Sequence, residues 1–158
     1  MSDKEEKPQR WYNPKDTLKD PIYRTGLMVN NSLCNEKVEF FIKNGDRTIN
    51  WYMCGPTVYD SEHLGYAHIY LILDIIRRIF SNYFHYDVNL CMNITDIDDK
   101  IIQRSNDKKI FSEFTRYWEN SFYKDMRALD VMYPYYITRV SEYIPEILSF
   151  FEVIIKNG

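Results

Sequence analysis

The sequence predicts an α/β fold: a parallel sheet with flanking helices, of which one half of a doubly wound arrangement is legible. Three observations carry this. Short apolar runs alternate with helical patterns of middle length through most of the 158 residues, and strand–helix–strand–helix order gives parallel strands joined by right-handed crossovers. A strand stopped by Gly55-Pro56 leads through His63-Leu64-Gly65-Tyr66 into a helix. A second apolar strand runs into the polar turn Asn93-Ile94-Thr95-Asp96-Ile97-Asp98-Asp99-Lys100. A thiol at a strand end, a His/Gly turn entering a helix and a polar turn after the next strand are the parts of a nucleotide site.

Each element follows from local pattern. Residues 1 to about 25 are polar and broken by Pro8, Pro14 and Pro21, and read as an extended leader. Val38–Ile42 is a short strand ended by the turn signal Asn44-Gly45-Asp46, and Thr48–Cys54 is a second strand. From about Tyr66 to Tyr83 the spacing turns helical: Ile72, Ile75, Ile76 and Ile79 share one stripe, and Asp74 and Arg78 form an i,i+4 pair on another face. Val88–Met92 is a buried strand. Thr95 or Asp96 is placed to cap the next helix, with Asp98 and Asp99 in its first turn where the helix dipole favours acids. Ile110–Leu129 and Ile144–Lys156 read as two further helices. The resulting division is a polar extension over residues 1–30 and a half sheet domain over residues 31–158.

Composition bounds the function classes. The chain is long enough for one ordinary domain and too short for two full-sized ones. With 45% hydrophobic residues it can build a core. Fourteen Tyr and nine Phe read as a compositional habit rather than a row of base-stacking platforms. The net charge of −3 argues against a module that binds nucleic acid by phosphate neutralisation alone, though it leaves room for a local basic patch. Cys34, Cys54 and Cys91 are odd in number and far apart, so they suggest a reducing compartment rather than a disulfide framework. No apolar run is long enough to cross a bilayer, and the mixed-charge start at Met1–Lys7 is neither a signal peptide nor a transit peptide, so a cytoplasmic location is expected.

The chemistry-bearing residues weigh as follows. A cysteine closing a buried strand is usually a small core hydrophobe. Gly55-Pro56 changes that for Cys54, because turning the backbone away leaves the thiol at the carboxyl edge of the sheet, where open α/β sheets bind ligands. A lone loop histidine is most often solvated, but His63 precedes Gly65, which admits a ligand close to the backbone, and a helix N-terminus that attracts phosphate. Asp96, Asp98 and Asp99 lack the glycine and distal Glu of a calcium loop, so a capped helix start is the better reading, with Thr95 free to face the cleft.

Together these residues resemble cysteinyl-tRNA synthetase, a class I aminoacyl-tRNA synthetase, from about Asn31 to the C-terminus. The blocks Tyr52-Met53-Cys54-Gly55-Pro56-Thr57-Val58-Tyr59-Asp60 and Cys91-Met92-Asn93-Ile94-Thr95-Asp96-Ile97-Asp98-Asp99-Lys100-Ile101-Ile102 match that family almost letter for letter. The resemblance implies the first half of a Rossmann-like class I catalytic domain and a ligase that activates L-cysteine with ATP and Mg2+, then charges tRNA(Cys). It makes Cys54 the first of four Zn2+ ligands. It places Gly55, Thr57 and Thr95 around the bound cysteine, and His63, Gly65 and Tyr66 on ATP, with His63 and Tyr66 at the catalytic signature. A metal–sulfur bond to the substrate thiol would reject serine, whose hydroxyl is a poor ligand for a soft site.

Two departures accompany the resemblance. The second signature histidine is Tyr66, and the arginine usual two places later is His68. A phenol donates one hydrogen bond but carries no imidazolium charge, and losing such a donor typically costs ~10²–10³ in rate. The other zinc ligands, the lysine-rich loop and the anticodon-binding helices of the family are not in these 158 residues. The expectation is therefore an N-terminal part of a larger enzyme, inactive on its own. The alternative is a non-catalytic remnant that binds ATP or a protein partner. A small adenylyltransferase with the same His-Gly signature has no need of the Cys-Gly-Pro-Thr and Asp-Ile-Asp-Asp blocks.

Overall fold

The computed structural model describes residues 22–61, 63–105 and 111–158, without the side chains of Asn44 and Ser105. The chain divides into two compact units, Met1–Thr48 and Ile49–Gly158. Among the described residues, no helix is long and apolar enough to cross a membrane.

The first unit is an antiparallel pair, β1 (Tyr23–Asn31) and β2 (Glu36–Ile42). The sequence reading found β2 and missed β1, because β1 does not alternate cleanly. Its register shifts between Arg24 and Met28, and Gly26 sits inside it at φ +72°. A bulge of this kind inserts a residue and breaks the period-two signal. Arg24 closes the pair across the strands with a bidentate ion pair to Glu39. Of the leader expected over residues 1–30, residues 1–21 lie outside the described residues, and the rest supplies most of β1.

The second unit holds, all but the first residue of β3, a three-stranded sheet in the order β3-β4-β5, formed by β3 (Thr48–Met53), β4 (Asp87–Ile94) and β5 (Tyr136–Arg139). Strands β4 and β5 run parallel, with Cys91 opposite Tyr136 and Ile94 opposite Arg139. A parallel bridge between Thr57 and Thr95 prolongs the contact beyond the ends of β3 and β4. Helices α1 (Leu64–Arg78), α2 (Asp99–Ser105), α3 (Phe111–Ala128) and α4 (Ile144–Asn157) follow the strands, giving the expected α/β class with a parallel sheet. The even positions of β4 (Val88, Leu90, Met92, Ile94) are buried and its odd positions are not, which is the alternation of a strand with one face on a core. Ile94 and Ile101 are both 0% exposed and pack with Tyr70, Phe122, Tyr123 and Met126.

Three details differ from the sequence expectation. The helix expected over Tyr66–Tyr83 starts at Leu64, and its last turn widens into a π-turn over Ile79–Tyr83, with Phe84 N–H donating to Ile79 O. Most of its isoleucine stripe looks outward: Ile72, Ile75 and Ile79 are exposed and Ile76 is half-buried, while Tyr70, Asp74 and Arg77 point in. The buried charges are hydrogen-bonded, as burial requires. Asp74 accepts from Arg78 Nε at 2.7 Å and from Met132 N–H at 3.0 Å, and Arg77 donates to Tyr133 O at 2.8 Å. Second, neither Thr95 nor Asp96 caps α2. Asp98 Oδ1 accepts from Lys100 N–H at 2.9 Å, and Asp96 instead accepts from the Ser141 backbone and hydroxyl. Third, β5 was not anticipated at all. Its four residues carry little local signal; besides the ladder with β4, Arg139 ties them to the Glu119 carboxylate, donating from both Nε and Nη2. Helix α3 begins at Phe111, and Ile110, expected to open it, lies outside the described residues.

Candidate active site

All the pieces of the candidate site lie in the second unit, at the carboxyl ends of β3 and β4. Strand β3 stops at Met53, leaving Cys54 exposed; its carbonyl accepts from the Tyr70 hydroxyl at 3.5 Å. Gly55 then passes hard against the neighbouring strand. A Cβ there would stand 1.7 Å from Asn93 O, so no side chain fits without moving backbone. Thr95 N–H donates to Pro56 O at 3.0 Å and Val58 N–H donates to Thr95 O at 3.1 Å, which fixes Thr57 beside Thr95.

His63 is built into the start of α1. It is the N-cap residue, and its Nδ1 accepts from Gly65 N–H at 3.1 Å. An imidazole that accepts through Nδ1 carries its proton on Nε2 when neutral, so Nε2 is left as a donor. Gly65 is required for this cap, since a Cβ there would approach His63 Cε1 to 2.9 Å. The rings of His63 and Tyr66 lie 4.6 Å apart at 47°.

These segments form a cleft of about 280 Å³, lined by Gly55, Pro56, Thr57, Tyr59, Asp60, Ser61, His63, Tyr66, Asp98 and Lys100. That is close to the lower end of the ~300–1,000 Å³ typical of small-molecule pockets. Arg104 braces Tyr59 and Asp60 in this lining. It donates to Asp60 Oδ2 at 2.6 Å and to Tyr59 O at 3.2 Å, and its guanidinium lies 4.9 Å from the Tyr59 ring centroid. The hydrogen bond from Arg104, then that from Ser61 N–H, holds the Asp60 carboxyl below its ordinary range. The Lys100 ammonium lies 5.4 Å from the same ring centroid.

The structure therefore brings Gly55, Thr57, His63 and Tyr66 into one cleft. Thr95 adjoins through the bridge to Thr57, Gly65 acts through the cap, and Cys54 stands next to Gly55 without lining the cleft. Among the described residues no three His, Cys, Asp or Glu side chains cluster closely enough to hold a metal ion. Sequence reasoning passed over Asp98, Lys100 and Arg104 as site residues. Asp98 also caps the start of α2, accepting from Lys100 N–H, and nothing local to Arg104 announces its contact with Asp60.

The family described as tRNA synthetases class I (C) catalytic domain matches residues 40–158. The chain is 47% identical over 151 residues to the cytoplasmic cysteine–tRNA ligase of Dictyostelium discoideum, covering 94% of this chain and 22% of that protein. It is 41% identical over 133 residues to the cysteine–tRNA ligase of Encephalitozoon cuniculi, covering 84% of this chain and 28% of that protein. The chain thus spans about a quarter of the length of these relatives.

Proposed function

The chain belongs to the family of class I (C) tRNA synthetase catalytic domains, and from that premise we propose that it supplies the amino-acid and ATP end of a cysteine–tRNA ligase. The reaction is in-line attack of the cysteine carboxylate on the α-phosphate of ATP, giving cysteinyl-adenylate and pyrophosphate, followed by transfer to the terminal adenosine of tRNA(Cys). Residues 31–158 are assigned to the first half of the catalytic domain and residues 1–30 to an extension. The 47% identity to a relative named cytoplasmic supports a cytoplasmic location.

The observation that carries the reading is the capped His63. With Nδ1 engaged by Gly65 N–H, Nε2 is left as a donor on a residue that lines the cleft, suited to the charge that grows on the phosphate oxygens during attack. Tyr66, its ring against that of His63, adds one neutral donor. The positive end of the α1 dipole lies beside them and favours an anion. Gly55, Thr57 and Thr95 are assigned to the amino acid. Positioning and electrostatics do most of this work, and Mg2+ with ATP would neutralise phosphate charge. Zn2+ takes four ligands in a closed site. Cys54 is a donor of the right kind, but the described residues do not by themselves fit the ion, and no step here is drawn through it.

Cysteine-dependent exchange of pyrophosphate into ATP by the natural gene product containing these residues tests the proposal. Turnover with cysteine and not with serine is expected, and His63→Ala should lower it by ~10²–10³. No exchange with any amino acid would overturn it. The 158 residues alone are expected to show none. Tyr66 in place of an imidazole favours a second reading, a non-catalytic relative that binds ATP or a protein partner; ATP binding without exchange in the natural gene product would select it.

A further inference from the structure

Asn93 ties together the ends of β3 and β4 beside the cleft, and the proposed reaction gives it no role. Its Oδ1 accepts from Gly55 N–H at 3.0 Å and from the Tyr52 hydroxyl at 2.9 Å, while its Nδ2 lies 3.2 Å from Thr95 Oγ1. Chemistry fixes which way the amide faces. A backbone N–H only donates, so the atom opposite Gly55 is the oxygen and the NH2 faces Thr95. Partial desolvation, then the nearby Cys54 and Cys91 sulfurs, raises the Tyr52 phenol above its ordinary range, so it remains a donor to the same oxygen.

The consequence falls on Thr95. Its N–H and C=O are committed to Pro56 and Val58, and its Oγ1 already receives a hydrogen bond from Asn93. A hydroxyl that accepts from one side keeps its own proton for another direction. Among the described residues no acceptor takes that proton. We propose that Asn93 is a positioning residue of the amino-acid site. By donating to Oγ1 it turns the Thr95 hydroxyl into a donor for an acceptor group of the ligand, the α-carboxylate of the amino acid. Through Oδ1 it holds the Gly55 backbone, against which that amino acid would rest. This inference rests on the assignment of Thr95 to cysteine binding made above.

The test is pyrophosphate exchange by the natural gene product, with separate KM values for cysteine and ATP and a melting curve for each variant. Asn93→Asp keeps an oxygen for Gly55 and Tyr52 but replaces the donor facing Thr95 by an acceptor, so the threonine proton turns back into the protein. The KM for cysteine should rise about tenfold, the size of one lost hydrogen bond to a charged group. The KM for ATP should stay within about twofold and the melting temperature should hold. Thr95→Val should raise the cysteine KM similarly, and the double variant should be no worse than Thr95→Val alone, because the two changes remove one interaction. Should Asn93→Asp fail to fold, Tyr52→Phe, which removes one donor to Oδ1, is expected to raise the cysteine KM about two- to threefold. An unmoved cysteine KM in the folded variants, effects that multiply in the double variant, or a change confined to melting temperature would overturn the inference and leave the proposed function standing. Absence of exchange in the unsubstituted protein would overturn both.

Discussion

The carboxyl edge of the sheet and the outward faces of α1 and α4 are built on opposite plans. At the edge, directional bonds assign nearly every group: the Gly55 amide to Asn93, Thr95 to Pro56 and Val58, Nδ1 of His63 to Gly65, Asp60 to Arg104. The outward faces have no such assignments. Ile72, Ile75 and Ile79 on α1 are exposed, and so are Leu148, Phe150, Phe151, Val153, Ile154 and Ile155 on α4, which buries no residue at all. The difference teaches where geometry is specified. The edge is positioned by its own directional bonds, while the helix faces carry neighbouring exposed apolar side chains, the kind of surface that marks interaction sites or aggregation liabilities.

Substitutions can break or sharpen this contrast. The largest difference should come from two isoleucines. Ile94→Ala, at a fully buried site, should cost about 2–5 kcal/mol in urea unfolding, whereas Ile75→Ala, 49% exposed on α1, should stay within about 0.5 kcal/mol. Equal costs would mean that the α1 stripe is part of the core. Next, Gly55→Ala forces a methyl group into the Asn93 carbonyl and should destabilise by about 1–3 kcal/mol. Nucleotide or cysteine binding should weaken with it, so a variant that melts and binds like the original would contradict the close approach at the edge.

Smaller still in stability, Phe150→Ser combined with Phe151→Ser should change unfolding by under about 1 kcal/mol. It should nevertheless raise the soluble yield of the 158-residue chain, measured after centrifugation. The smallest effect concerns Asp60. Its carboxyl titrates below its ordinary value in the folded chain, so its pairing with Arg104 favours the folded edge at neutral pH and is lost only as pH falls through that lowered value. Arg104→Ala should move the Asp60 titration upward in NMR, and an unmoved midpoint would show that Arg104 does not hold it.

The two regions also differ in how far they can be read from sequence. Gly55-Pro56 and His63-Leu64-Gly65 announce a strand stop and a helix entry, and both are local events set by backbone chemistry. The apolar run of β4 likewise announces itself, because burial on one face leaves an alternation. Strand β5 does not, since its four residues are held by Glu119 and by the loop tied to Asp74 and Arg77, all distant in sequence. The α1 stripe misleads for a related reason. Apolar spacing shows that residues share a face, but the face turned inward carries Asp74 and Arg77, whose burial depends on backbone partners at Met132 and Tyr133. Asn93 stayed hidden because its three hydrogen bonds join residues from two strands and a turn.

In the proposed reaction, amino acid and nucleotide meet at the carboxyl edge, between the Cys54–Tyr66 and Asn93–Lys100 segments. Hydrogen–deuterium exchange of the natural gene product, with and without a non-reactive sulfamoyl analogue of cysteinyl-adenylate, tests it most directly. Slowed exchange in peptides covering both segments, with α4 unchanged, is the predicted result. Protection confined to α4 or to the outward face of α1, or none at either segment under saturating analogue, would contradict the account.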